Sequence, residues 1–224
     1  MSVGAEALRS EGASTARVLI TAKAPLAGRA KTRLSPPLPI ELAARLAEAF
    51  LADVLSAARA VDAEAGFLCP ASDAADLRRR FAGVPLVVQT GHGLSGALAS
   101  GVRAGTVVVA GDAPGIRPEA IAAAATADAD VVLAPSRDGG FTLIRMRRHH
   151  PAVFDGIHWS TGSVLNQVLA TSRAAGLSVE LLDPVADVDT VDDLAGLDLS
   201  HAHATRAVLC DPTVLWPLPP TAAG

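Results

Sequence analysis

The chain has 224 residues, 50% of them hydrophobic, and a formal net charge of -4. That length suits one α/β domain with short tails, and the acidic balance argues against general nucleic-acid binding, which needs a broad basic surface. Aromatic residues make up only 3% and Tyr is absent, so Val, Leu, Ile and Ala must build the core.

The first sixteen residues are small, polar and charged, without the apolar stretch of a secretory signal. They read as a disordered tail, 1–16. From 17 to 200, short β-branched runs alternate with Ala- and Leu-rich amphipathic stretches, and this span reads as one domain. Strands are predicted at 17–21, 65–69, 85–89, 106–110, 131–134, 141–146 and 179–182. Helices are predicted at 40–60, 73–81, 94–104, 118–127, 161–175 and 191–197. A continuous apolar run such as Val107-Val108-Val109 implies a strand buried on both faces. Alternation with helices implies a mostly parallel sheet. The connection from 134 to 141 is too short for a helical crossover, so that pair is expected to be antiparallel and the sheet mixed. Leu42, Leu46, Ala49, Phe50, Val54 and Leu55 share one side of the helix at 40–60, a core stripe.

Beyond 200 the periodicity fades and the chain runs into Trp-Pro-Leu-Pro-Pro-Thr, so 201–224 reads as an irregular tail. No apolar run approaches the ~18 residues of a membrane helix. Cys69 and Cys210, the only cysteines, stand far apart and offer neither metal spacing nor a disulfide framework. A reduced, cytoplasmic setting is the expectation.

In open α/β sheets ligands sit at the carboxyl ends of strands, and four stretches fall there. The first, Ala22 to Leu34, packs Lys23, Arg29, Lys31 and Arg33 into one loop of an acidic chain. Such a loop either holds phosphates by charge-assisted hydrogen bonds or is a solvated basic surface. The second is Gly111-Asp112-Ala113-Pro114. Asp112 either holds a divalent metal bridging phosphates or caps the turn into the next helix. The third is Asp187-Val188-Asp189-Thr190. An extended backbone puts Asp187 and Asp189 on one side, where two carboxylates attract a cation or raise each other's pKa. Thr190 and Asp193 read as a capping box for the following helix. The fourth is Ser136-Arg137-Asp138-Gly139-Gly140. Gly139 and Gly140 allow a ligand to approach the backbone closely, while Asp-Gly is also a strong hairpin signal. Two weaker signals remain. The Gly91–Gly96 loop opens a helix without matching a dinucleotide fingerprint. His158 and Trp159 either shape a pocket or pack.

In order along the chain, K-A-P-x-x-G-R-x-K-T-R-L, G-D-x-P, D-G-G-F-x-L-I, W-S-T-x-x-V-L and D-V-D-T-x-x-D-L cover roughly residues 18–197. This series resembles the GT-A-like bacterial transferase family associated with radical-SAM and selenodomain proteins. That glycosyltransferase-like group is distantly related to 2-phospholactate guanylyltransferase. The resemblance implies a Rossmann-like GT-A fold, the nucleotide-diphospho-sugar transferase three-layer sandwich. It implies that Arg29, Lys31 and Arg33 face nucleotide phosphates. Asp112 matches the metal-binding acid, with Asp187 and Asp189 near a second metal position, and Asp138 and the Trp159 loop face the acceptor. The chain departs from the family pattern at Gly115-Ile116, where an acidic residue is usual, and at Leu94-Ser95-Gly96-Ala97, where Leu-Gly-Glu-Arg is usual.

The leading expectation is a glycosyltransferase that uses Mg2+ or Mn2+, a nucleotide-sugar donor and a small-molecule acceptor. Asp112 and Asp138 are its candidate catalytic residues, Asp138 as base. Gly139, Gly140, His158 and Trp159 are its acceptor-binding candidates. One alternative is a guanylyltransferase-like nucleotidylyltransferase acting on a phosphorylated small molecule. Another is a catalytically impaired nucleotide-binding homologue. No nucleic-acid or membrane partner is expected, and a homodimer is allowed.

Overall fold

A computed structural model describes residues 16–214. Of the disordered tail expected at 1–16, residues 1–15 lie outside the described residues, as does the proline-rich stretch at 216–221, while Ala16 is corrected to the first residue of a strand. The elements run β1 (Ala16–Thr21), α1 (Ile40–Arg59), β2 (Ala63–Cys69), α2 (Ala74–Arg80), β3 (Leu86–Val88), α3 (Gly93–Gly101) and β4 (Thr106–Ala110). They continue with α4 (Pro118–Thr126), β5 (Val131–Pro135), β6 (Phe141–Met146), α5 (Val164–Ala174), β7 (Val179–Leu181), α6 (Val191–Ala195) and α7 (His203–Leu209).

The seven strands of the described residues form one sheet in the order β3-β2-β1-β4-β6-β5-β7. β6 runs antiparallel to β4 and β5, and the other pairings are parallel. The mixed sheet expected from the short 134–141 connection is therefore present. Its consequence is positional. β4 ends, and inverted β6 begins, at the same rim, so the loops carrying Asp112 and Asp138 emerge side by side.

Buried strands send alternate side chains to opposite faces. Val18, Ile20, Val107, Val109, Val132 and Ala134 meet α1, α2 and α4 in one core. Leu19, Val108, Val131, Leu133 and Ile144 meet α3 and α5 in another. Each of these Val, Leu and Ile side chains, taken wholly out of water, contributes about 1.5–3 kcal/mol, and the three layers follow. A third cluster lies on the outer side of α1, where Leu34, Leu38, Leu42, Leu46, Phe50 and Val188 meet residues of α6 and α7.

The irregular tail expected from 201 onwards is corrected here, because residues 203–209 form α7, packed on α1. The helix is short and its N-terminal cap is not local. Asp53, 3% exposed in the middle of α1, accepts the backbone N–H groups of Ala204 and Thr205 at 2.7 and 2.8 Å. A smaller correction concerns α5, which starts at Val164 rather than 161. Ser160 takes a left-handed φ of 61°, Thr161 Oγ1 donates to the His158 carbonyl, and no side chain caps the helix. The capping box at Thr190 and Asp193 forms as expected.

Candidate active site

The basic loop after β1 is held from below by its apolar residues. Ala24, Ala30 and Leu34 are buried, which leaves Lys23, Arg29 and Arg33 exposed. Asp73 fixes the loop's shape. Its carboxylate accepts the Ala24 N–H at 3.0 Å, Arg29 Nη2 at 3.2 Å and Ser72 Oγ at 2.9 Å. The sequence marked Asp73 only as the start of a helix, yet it makes no side-chain cap there. The signal that could have found it is an acid at the end of β2, on the same rim as Asp112.

Lys31 turns inward, with a side chain only 14% exposed. Its Nζ donates to Asp112 Oδ2 at 2.7 Å and to Asp189 Oδ1 at 2.9 Å. Arg33 Nη1 donates to the other oxygen of Asp189 at 3.2 Å. Burial alone would pull the Lys31 ammonium pKa down. The charges and hydrogen bonds of Asp112 and then Asp189 outweigh it, and the net shift is upward. To reach both acids Lys31 adopts a left-handed backbone with φ 47°, which costs a non-glycine residue on the order of 1 kcal/mol. The two charge-assisted bonds offset that cost. Asp112 therefore serves this network and not the start of α4, which has no side-chain cap.

The acidic segment follows an alternating pattern. Val188 is wholly buried while Asp187 and Asp189 are half-buried, and the Val188 N–H donates to the Asp112 carbonyl at 2.9 Å. Burial, followed by the charges of Asp112, Asp138 and Asp189, pushes the Asp187 carboxyl up to about 6. Asp138 is exposed and holds its own turn, where Oδ1 accepts from Ser136 Oγ and from the Gly140 N–H. Gly139 has φ 86°, and a Cβ there would lie 2.0 Å from the Gly162 carbonyl oxygen. The glycine is thus spent on backbone packing between the 136–140 and 160–165 loops.

These elements border a cleft of about 610 Å3, within the usual size range of small-molecule sites. One wall carries Lys23, Arg29, Lys31, Arg33, Asp112 and Asp189; the other carries Gln89, Leu94, Ala97 and Leu68. Gly111 at the floor has no room for a side chain, since a Cβ would lie 2.3 Å from the Thr21 carbonyl oxygen. Gln89 and Leu94 flank the Gly91 loop, which the sequence marked only weakly. Gln89 Nε2 donates to the carbonyls of Gly91 and Gly93 at 3.2 and 3.3 Å. His158, Trp159, Gly139, Gly140, Asp138 and Asp187 are not among the residues lining this cleft. His158 is exposed, and Trp159 packs on Phe154 with ring centroids 6.1 Å apart.

Asp112, Asp187 and Asp189 offer an all-oxygen donor set, the chemistry that Mg2+ or Mn2+ requires, and the crowding around Asp187 calls for positive charge. Among the described residues, however, no three acidic, His or Cys side chains are gathered closely enough to hold an ion as they stand. One oxygen of Asp112 and one of Asp189 are committed to Lys31. Among the described residues no helix is long and apolar enough to cross a membrane.

Comparisons with known proteins agree with this architecture. Among solved structures, a protein of Desulfovibrio desulfuricans G20, provisionally named a nucleotide-diphospho-sugar transferase, is 29% identical and superposes with a TM-score of 0.75 over 86% of this chain and 92% of that one. The inositol-1-phosphate CTP transferase of T. maritima superposes with a TM-score of 0.56 over 91% of this chain and 99% of that one. At 11% identity this is a likeness of fold alone. The fold is that of the nucleotide-diphospho-sugar transferase-like class of transferases.

A 2-phospho-L-lactate guanylyltransferase of Halobacterium salinarum is 33% identical over 167 residues, 71% of this chain and 74% of that relative. Residues 42–161 match the family described as "Uncharacterized protein conserved in bacteria (DUF2064)", and the chain belongs to that family.

Proposed function

We propose that this protein is a metal-dependent nucleotidyltransferase that moves a nucleoside monophosphate from a nucleoside triphosphate onto a phosphorylated small molecule. The observation that carries this reading is one cleft wall that joins four cationic side chains to two carboxylates. The 33% identity to a guanylyltransferase supports it and makes GTP the first donor to try. An oxygen of the acceptor phosphate attacks the α-phosphorus. The bond from that phosphorus to the bridging oxygen breaks, and pyrophosphate leaves with the electron pair. Such transfers depend on positioning and charge neutralisation more than on covalent help from the protein. Lys23, Arg29 and Arg33 neutralise the leaving pyrophosphate, and Asp73 keeps Arg29 in place. Asp112, Asp187 and Asp189 are the residues that would hold a divalent ion, which would supply further positive charge to the phosphates. A phosphate nucleophile is already anionic, so the reaction needs no base, and the role of Asp138 is to shape the turn beside Asp187.

Glycosyl transfer from a nucleotide sugar is the second reading, favoured by the likeness to the Desulfovibrio protein. It would require a base for the acceptor hydroxyl, the role for which Asp138 is the candidate. Product identity separates the two. Purified protein is incubated with Mg2+ or Mn2+, each nucleoside triphosphate or nucleotide sugar, and a panel of phosphorylated carboxylic acids. Release of pyrophosphate is the expected result. Release of a nucleoside diphosphate from a nucleotide sugar would replace this reading with the second.

A further inference from the structure

Lys31 holds two of the three carboxylates that the nucleotidyltransferase reading assigns to a metal ion. Its nitrogen sits 2.7 Å from Asp112 Oδ2 and 2.9 Å from Asp189 Oδ1. These acids lie 81 and 158 residues away in sequence, so the fold builds the contact. An ammonium is a compact point charge with three donors, the side-chain group nearest in form to a metal ion, whereas a guanidinium spreads its charge over a planar fork. The residue type matters here. The chain has 19 basic residues, and only Lys23 and Lys31 are lysines. Both stand in this loop, and Lys31 alone turns inward.

We propose that Lys31 is a built-in cation of the ligand-free site, which occupies the Asp112–Asp189 pair until nucleotide phosphates draw it away and a divalent ion takes its place. The identity of the incoming ion rests on the nucleotidyltransferase reading. The same oxygens do not serve both charges, because an ion bound to them would face the ammonium at short range in a half-desolvated cleft. Nucleotide phosphates offer Lys31 new anionic oxygens on the wall where Lys23, Arg29 and Arg33 stand. Free metal therefore binds the empty protein weakly, and metal and nucleotide enter as a pair. This coupling is reciprocal, each raising the affinity of the other.

The first test is Mn2+ binding without nucleotide, read from the electron paramagnetic resonance of the free ion. Lys31→Met should bind Mn2+ about tenfold tighter than the wild type or more, the scale of removing one adjacent unit charge. The double variant Lys31→Met/Asp112→Asn should lose that gain. Equal or weaker binding by Lys31→Met overturns the proposal. A second measurement needs no variant. Amine labelling of the wild type with an N-hydroxysuccinimide ester is followed by mass spectrometry, with exposed Lys23 as internal standard. Raising Mn2+ until labelling no longer changes should release Lys31 and accelerate its labelling relative to Lys23. Protection that persists overturns the proposal. If Lys31 behaves so but no triphosphate yields pyrophosphate, the cation exchange stands and the reaction assignment falls. Pyrophosphate release without either Lys31 effect means the reverse.

Discussion

Asp53 and Thr205 are joined across 152 residues, with the Asp53 carboxylate accepting the Thr205 N–H at 2.8 Å and that of its neighbour Ala204 at 2.7 Å. The start of α7 is thus capped from the middle of α1. Asp53→Ala should lower the unfolding free energy by about 2 kcal/mol, the sum expected for a lost cap and two donors left with poorer partners. Urea denaturation measures this, and hydrogen exchange should show α7 opening first. A loss under about 0.5 kcal/mol would mean that side-chain packing alone holds α7.

Asp73 is a positioning residue, and its removal should be felt by a ligand that it does not touch. Asp73→Ala should weaken nucleotide binding by about 1 kcal/mol, less than the ~1.5–3 kcal/mol of a hydrogen bond to a charged group, because Arg29 loses its anchor and not its charge. The loss should appear in KM more than in kcat, because Arg29 is freed rather than removed. Arg33→Ala should weaken nucleotide binding by about 1–3 kcal/mol directly. Calorimetry with the Mg2+ complex of GTP tests both, and unchanged affinity in Arg33→Ala would remove that residue from the phosphate site.

The ligand-free protein should lose stability as pH rises through the window set by Asp187. An ordinary aspartate ionises near pH ~3.9, while burial and the charges of Asp112, Asp138 and Asp189 push the folded Asp187 up to about 6. Between those values the folded protein holds a proton that the unfolded chain has released, so stability falls with rising pH. Below the window both states are protonated and the effect vanishes. Asp187→Asn should therefore raise the melting temperature at pH ~8 and leave it nearly unchanged at pH ~4. An equal shift at both values would assign the effect to packing.

Gly139 has no room for a methyl group. Gly139→Ala places a Cβ 2.0 Å from the Gly162 carbonyl oxygen at φ 86°. We expect a loss of about 2–4 kcal/mol in unfolding free energy, the range for a forced backbone shift combined with a strained φ. A neutral result in thermal melts would show that the 160–165 loop yields without cost.

What the sequence disclosed divides by range. β1, β4, β5 and β6 were legible because apolar runs report burial directly, and the inversion of β6 followed from chain length alone. Lys31, Asp112 and Asp189 were legible as chemistry-bearing types at strand ends. Their joining was not, since nothing local records partners 81 and 158 residues away. Asp73 was hidden for the same reason, with Ala24 and Arg29 at separations of 49 and 44. α7 was hidden twice over, by its length and by a cap that comes from α1. At Trp159 a packing contact on Phe154 and a pocket wall carry the same local signature, so sequence could not separate them.

Val188 gives the basic and acidic segments of the charged cleft wall a common footing. It is wholly buried with Leu34, Leu38, Leu46 and Phe50. Leu34 follows Arg33 directly, just as Val188 sits between Asp187 and Asp189. The basic and acidic segments are thus pegged into one apolar cluster, against which α6 and α7 also rest. A displacement of either segment is therefore transmitted to that cluster, and looser packing in the cluster loosens both segments. Substitutions on the far side of α1, out of reach of any nucleotide, therefore belong to the set that tunes how tightly the cleft holds its charges.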